Sequence, residues 1–343
     1  MSASDVEEVP MAEVLSGFTV IWVIIGVGFL TGRTGVLGAE GRTVLSRTSF
    51  FIGSPALLFT TLSQADVTAV LGPQLWVAAA SALVCAAVFM LVARFVLPSR
   101  TGSERVIAAL GSSMVNSANL GLPIAAYVLG DAALAAPVIL FQLAIYTPLY
   151  ITVLEAALAA ESRRSALADD GRSPSVRRSP SAYGRFRRVV SQLGQTARNP
   201  MIIGSALGLL FSATGWSLPA PLWDSVELIG GLSIPAMLIA FGMSLADSRP
   251  LRKADGRIGD AVLASAMKLV AHPVIAWLIG AFAVGLGSRE LMIAVVLASL
   301  PTAQNVFVAA VRYETGVVVA KDTVLVTTVL AIPAMMVVAL LFA

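Results

Sequence analysis

The sequence predicts an all-α membrane protein of ten transmembrane helices, built as two five-helix repeats of opposite orientation with helices four and nine interrupted near mid-membrane. Three observations predict it. Of 343 residues, 57% are apolar and 13% charged, about half the ~25% charged share of a soluble domain. Apolar runs of spanning length recur ten times. Residues of the first five runs then reappear, in order, in the second five.

A mean hydropathy of +0.86, with one histidine and one cysteine, leaves too few polar side chains to cover a water-facing surface. This excludes a soluble enzyme and makes lipid the solvent. Cys85 has no second cysteine to pair with, so no intrachain disulfide forms. Ahead of the first run stand Asp5, Glu7, Glu8 and Glu13 with no Lys or Arg. That is the reverse of a basic leader, and a mature terminus is expected.

Because ~20 helical residues cross ~30 Å of hydrocarbon, the runs are read as spans at residues 11–30, 43–63, 75–97, 106–129 and 132–154. Five more follow at roughly 200–220, 225–246, 261–285, 291–311 and 323–343. The runs are continuous rather than alternating, which argues against barrel strands. Residues 1–160 form the first repeat, 161–198 a basic linker, and 199–343 the second repeat. The linker carries Arg163, Arg164, Arg172, Arg177, Arg178, Arg185, Arg187, Arg188 and Arg198 among Ser, Pro and Gly. Such a segment sets orientation, and it also suits lipid headgroups or a partner. With the linker cytoplasmic, every Lys and Arg falls on an inside loop except Arg289 and Lys268. The positive-inside rule then places both termini outside and requires an even number of crossings.

At one constant offset Gly28, Thr34, Gly35, Pro55, Ala56 and Leu58 match Gly208, Thr214, Gly215, Pro235, Ala236 and Leu238. At a slightly longer one Asn119, Tyr127 and Gly130 match Asn305, Tyr313 and Gly316. Five spans per half make the second half enter from the opposite face, giving an inverted repeat, a transporter signature.

The fourth span contains Asn116-Ser-Ala-Asn119-Leu-Gly121-Leu-Pro123 and the ninth Pro301-Thr-Ala-Gln304-Asn305. Proline removes a backbone donor and collides with the carbonyl four residues earlier, and Gly121 adds freedom, so each span is expected to break into half-helices there. Freed N–H groups cannot face lipid, so the breaks should face a cavity where half-helix N-termini attract an anion. Asn116, Asn119, Gln304 and Asn305 are the expected substrate contacts, shaped by Gly121, Pro123 and Pro301. Lys268, in the eighth span with His272 one turn on, has two readings. It supplies positive potential or senses protonation from a cavity, or it snorkels to the surface. His272 is a carbonyl-bonded structural imidazole or a proton relay. No Asp or Glu is expected deep in a span. Gly28xxxGly32 and Gly204xxxGly208 suit close helix packing.

Asn116 to Pro123, Asn199-Pro200, the Pro235 segment and Pro301 to Tyr313 together resemble the auxin efflux carrier family. The resemblance implies a fold shared with bile-acid symporters, a frequently dimeric scaffold of helices one, two, six and seven, and a mobile core of three to five and eight to ten. It also implies a substrate site at the crossing of helices four and nine, elevator-like alternating access, and small carboxylates as cargo. Expected partners are therefore the carboxylate, a coupling proton or sodium ion, membrane lipid and a second copy of the chain. No cofactor, catalytic residue, metal or nucleic acid is expected. Proton coupling, sodium coupling and uniport all stay open. Rival readings are a cation antiporter or bile-acid-like symporter of the same fold, a sensor signalling through its linker, and an intramembrane enzyme using Ser265-Ala-Met-Lys268. No phosphate-binding loop supports ATP-driven pumping.

Overall fold

The computed structural model describes residues 11–168, 194, 197–246 and 256–342. Asp5, Glu7, Glu8, the linker residues Arg172, Arg177, Arg178, Arg185, Arg187 and Arg188, and Arg249, Arg252 and Lys253 lie outside the described residues. The described chain is helical with no strand. Five segments are long and apolar enough to cross a membrane: Ser16–Thr34, Val67–Val96, Ala132–Ser165, Ala220–Ala246 and Ile258–Val284. A sixth consists of Val317–Ala331 and Pro333–Phe342, bent by 47°.

The first run is α1 (Met11–Thr34). The second is α2 (Gly41–Thr48) and α3 (Ser54–Ser63), joined by a π-turn at Ser49–Gly53. After the short α4 (Val67–Val70) come α5 (Pro73–Val96), then α6 (Gly102–Ser113) and α7 (Leu122–Tyr127), separated by an extended break and a second π-turn at Ser117–Gly121. α8 (Ala136–Phe141) and α9 (Thr147–Ala168) flank a π-turn at Gln142–Tyr146. The second half holds α10 (Pro200–Thr214), α11 (Ala220–Gly231), α12 (Ser233–Ala246) and α13 (Ile258–Ala266). After a π-turn at Met267–Ala271 follow α14 (His272–Leu278), α15 (Ser288–Ala298), α16 (Gln304–Arg312) and α17 (Val317–Phe342). The chain from Glu161 to Ala168, expected in the linker, continues α9 as helix. Its Ala-, Glu- and Arg-rich sequence favours helix. Glu161 also accepts from the Ser103 backbone N–H at 2.7 Å and the Ser103 hydroxyl at 2.9 Å.

Proline acts differently from the expectation. Four π-turns each end two residues before a proline: Pro55, Pro123, Pro148 and Pro273. The residue after each turn donates its N–H five residues back, as Leu122 does to Ser117 and His272 to Met267. The residue just before each proline thus keeps a helical hydrogen bond in a wider turn, and the helix is thickened there and not broken. The fourth run breaks instead at Met114–Asn116, seven residues and more before Pro123. In the ninth run Pro301 lies within the break itself.

Packing joins distant parts of the chain. α1 lies along α12, and α3 along α10 and α11. A Cβ at Gly28 would strike the backbone of Ile239, at Gly242 that of Ile25, and at Gly204 that of Pro55, so these backbones touch and small residues are obligatory. The Ser54 hydroxyl meets the Ser233 hydroxyl at 2.8 Å, and the Ser49 hydroxyl donates to the Ser233 carbonyl at 3.0 Å. All three serines are buried. Elsewhere α5 packs on α6, α8 and α14, α6 on α9, and α17 on α13, α15 and α16. At one end of these helices Arg257 pairs with Glu104, while Asp260 pairs with Arg100 at 2.8 Å and Arg257 at 3.2 Å. No Asp or Glu is expected deep in a span, and the two buried acids lie just ahead of the expected spans. Asp260 and Asp322 are 3% and 1% exposed, each near the N-terminal end of its helix, where the helix dipole favours a carboxylate.

Gly242→Leu should drive α1 from α12 and lower the melting temperature in detergent, with an overpacking cost of about 1–3 kcal/mol or more. Gly26→Ala is the control, because nothing lies within 4 Å of a Cβ there. Equal melting curves for the two variants would refute the close approach.

Candidate functional site

Both broken segments meet. The Asn116 N–H donates to the Pro301 carbonyl at 2.7 Å and the Ala303 N–H to the Met114 carbonyl at 2.9 Å. Val115 and Thr302 thus form an isolated antiparallel bridge. The Thr302 N–H donates to the Thr327 hydroxyl at 3.0 Å, and the Thr302 hydroxyl to the Gly111 carbonyl at 2.5 Å. Two extended strips therefore satisfy each other where lipid offers no partner. This modifies the expectation of exposed amides, since the amides of Asn116, Thr302 and Ala303 are engaged in the bridge and its support.

Beyond the bridge each chain turns into a second half-helix. Asn116 caps the first: its Oδ1 accepts from the Asn119 N–H at 3.2 Å. That bond fixes the carboxamide's orientation and directs Nδ2 elsewhere. Nδ2 is buried without a hydrogen-bond partner among the described residues. Ala303, extended at φ −63° and ψ 137°, precedes Gln304 at the start of α16. A cavity of about 50 Å³ lies against both starts, lined by Asn116, Ser117, Asn119, Gln304 and Asn305 and bordered by Phe50 from the α2–α3 π-turn. Among the described residues, no Asp, Glu, Lys, Arg or His lines it. It offers an anion two helix N-termini and side-chain carboxamides.

The structure thus brings Asn116, Asn119, Gln304 and Asn305 to one wall. It places the other expected residues elsewhere. Gly121 is buried, with Leu300 3.3 Å from the Cβ it would carry. Pro123 opens α7. Pro301 contributes its carbonyl to the bridge. Lys268 is off this wall and 0% exposed. Its ammonium donates to the Ala298 carbonyl at 2.6 Å and lies 3.0 Å from His272 Nδ1. Snorkelling is therefore overturned: the ammonium meets the carbonyl end of α15, where the helix dipole favours a cation.

Sequence reading missed Thr302, Thr327 and Gln142. Gln142 is 5% exposed and lines both the crossing cavity and a second one of about 20 Å³ beside Ser81, Ser113 and His272. A lone glutamine within a long apolar run was a visible signal. Thr302 and Thr327 had none, because their meeting depends on how the two breaks pack.

A family profile described as membrane transport protein matches residues 15–339. A Rhizobium meliloti (strain 1021) protein named "Putative malonate transporter" is 28% identical over 326 residues, 94% of this chain and 93% of its own length. A protein of Methanothermobacter thermautotrophicus named "Uncharacterized transporter" is 24% identical over 317 residues, covering 91% and 93%.

Asn116→Ala should cost about 1 kcal/mol of stability through loss of the cap. Asn116→Ser keeps a capping oxygen, adds no charge to the buried wall and should melt near the wild-type temperature. Melting curves in detergent that rank Ser with Ala would show that Asn116 does not cap.

Proposed function

The chain belongs to the membrane transport protein family, that of the auxin efflux carriers, and from this premise we propose that it is a secondary carrier of small carboxylates that holds its substrate at the crossing of the two broken segments. The buried, unpartnered Nδ2 of Asn116 carries the proposal. A buried donor without an acceptor is costly, and a carboxylate oxygen in the adjacent cavity would satisfy it. The N-termini at Ser117 and Gln304 offset the negative charge, while Asn119, Gln304 and Asn305 donate further hydrogen bonds. Malonate is the first candidate, given the name of the Rhizobium relative.

The carrier works in the cytoplasmic membrane as ten spans in two inverted repeats with both termini outside. Spans one, two, six and seven form a dimeric scaffold, past which spans three to five and eight to ten carry the crossing by an elevator motion. Support comes from the packing: α1 on α12 and α3 on α10 and α11 form one set, and α5, α6, α9, α13 to α17 another. Phe50 of the first set borders the cavity of the second, the contact that relative motion would open and close.

A cation antiporter would need carboxylates at the crossing, and the cavity wall has none. The intramembrane-enzyme reading needs Ser265 hydrogen-bonded to Lys268. The Ser265 hydroxyl has no partner, and the lysine is engaged with Ala298 and His272.

In proteoliposomes, Asn119→Ala and Asn305→Ala should each weaken labelled-malonate exchange by about ten- to a hundredfold. That is the ~1.5–3 kcal/mol of a hydrogen bond to a charged group. Unchanged exchange in both variants sinks the crossing site.

A further inference from the structure

Lys268 and His272 occupy the π-turn Met267–Ala271 and the first residue of α14. Both are buried, and no ion pair joins Lys268 to a carboxylate among the described residues. The two basic groups face each other at 3.0 Å, and His272 Nε2 lies 3.3 Å from the Ser81 hydroxyl. Among the helices packed on this turn, α5 brings Cys85 toward the lysine. The charged residues of α5, α6, α13 and α15 (Arg94, Glu104, Arg105, Asp260, Arg289 and Glu290) stand in terminal turns of those helices, and Lys321 and buried Asp322 stand in the second turn of α17. Two basic nitrogens in one hydrogen bond cannot both be charged cheaply in so dry a place, so the pair holds one excess proton at most.

The ring also has a way out. His272 and Ser81 line the second cavity, whose volume of about 20 Å³ accommodates a water. Val115 and Gln142 line this cavity and the crossing cavity alike. The lysine is tied to the crossing from the other side, because Ala298, which accepts its hydrogen bond, is the last residue of α15 before the break.

We propose that Lys268 and His272 form a proton-binding site, and that its proton is the coupling ion of the carrier; this rests on the transport reading above. With the proton bound, the ammonium donates to Ala298 and to Nδ1, and Nε2–H donates to Ser81. On release the ammonium passes a proton to Nδ1 while Nε2 gives its own to the cavity. The neutral amine keeps its N–H bond to Ala298, and the ring is left as the Nδ1–H tautomer. Charge thus leaves the carbonyl end of α15, just before the break that helps shape the substrate cavity. The linkage is reciprocal: a bound anion favours the protonated pair, and the protonated pair favours the anion.

His272 is the single histidine of the chain, so ¹⁵N-histidine labelling of the full-length protein in detergent reports this ring alone. We expect the Nε2–H tautomer at low pH and one switch to Nδ1–H as pH is raised across about 5 to 10, the range spanned by ordinary histidine and lysine. Lys268→Gln should abolish the switch, and Lys268→Met gives the same reading should the glutamine variant not fold. In proteoliposomes, malonate accumulation by the wild type should follow an imposed pH difference, approaching about tenfold per pH unit for one coupled proton. A tautomer that never changes with pH, a switch that survives loss of the lysine, or accumulation indifferent to the gradient each overturns the proposal. Absence of any wild-type malonate exchange would instead overturn the substrate reading, with the ring titration still deciding whether the pair binds a proton.

Discussion

Backbone amides and carbonyls cannot be left unsatisfied inside a bilayer, and the centre of this molecule is organised by that constraint. Two helices stop in mid-course, near Met114 and Ser299, and the groups they release are taken up by each other. Asn116 bonds to Pro301 and Ala303 to Met114, with Thr302 anchored to Thr327 and Gly111. A single bridged pair, Val115 and Thr302, lets two helices be interrupted at one place. The second half-helices then start side by side, which is why two N-termini and several carboxamides border one small cavity. Loss of either break would leave the other with unpaired groups.

The chain manages its prolines with equal economy. A proline inside a helix threatens the carbonyl four residues earlier, and four times the chain answers by widening a turn in advance, before Pro55, Pro123, Pro148 and Pro273. Each widened turn lies beside a cavity or a buried polar side chain. One presents Phe50 to the cavity, one follows the Asn116 cap, one carries Gln142 between two cavities, and one holds Lys268 and leads into His272. The extra residue in the turn rotates the following helix relative to the preceding one, so side chains separated by a turn diverge from a single stripe.

The buried lysine is placed by the same break. An ammonium with no carboxylate partner among the described residues needs partial charges, and the end of α15 supplies the Ala298 carbonyl. Interrupting the helix therefore makes a favourable place for an anion on one side of the break and for a cation on the other.

Much was legible from composition and order alone. The helical membrane class, the family, the two interrupted segments and the four carboxamides beside them follow from 57% apolar residues and from a motif whose members lie within one or two turns of each other. Local sequence carries such information because helix periodicity and capping act over three or four residues. Long-range contacts decided the rest. Whether Pro123 breaks or widens its helix depends on the carbonyls around it. Whether Lys268 snorkels or turns inward depends on where α15 ends, residues away in the chain but 2.6 Å away in space. The roles of Thr302 and Thr327 arise from packing between separate helices, and no periodicity within either helix encodes it. The residue types and their spacing determined what could be offered to a substrate; the pairing of two broken backbones determined which groups remain free to offer it.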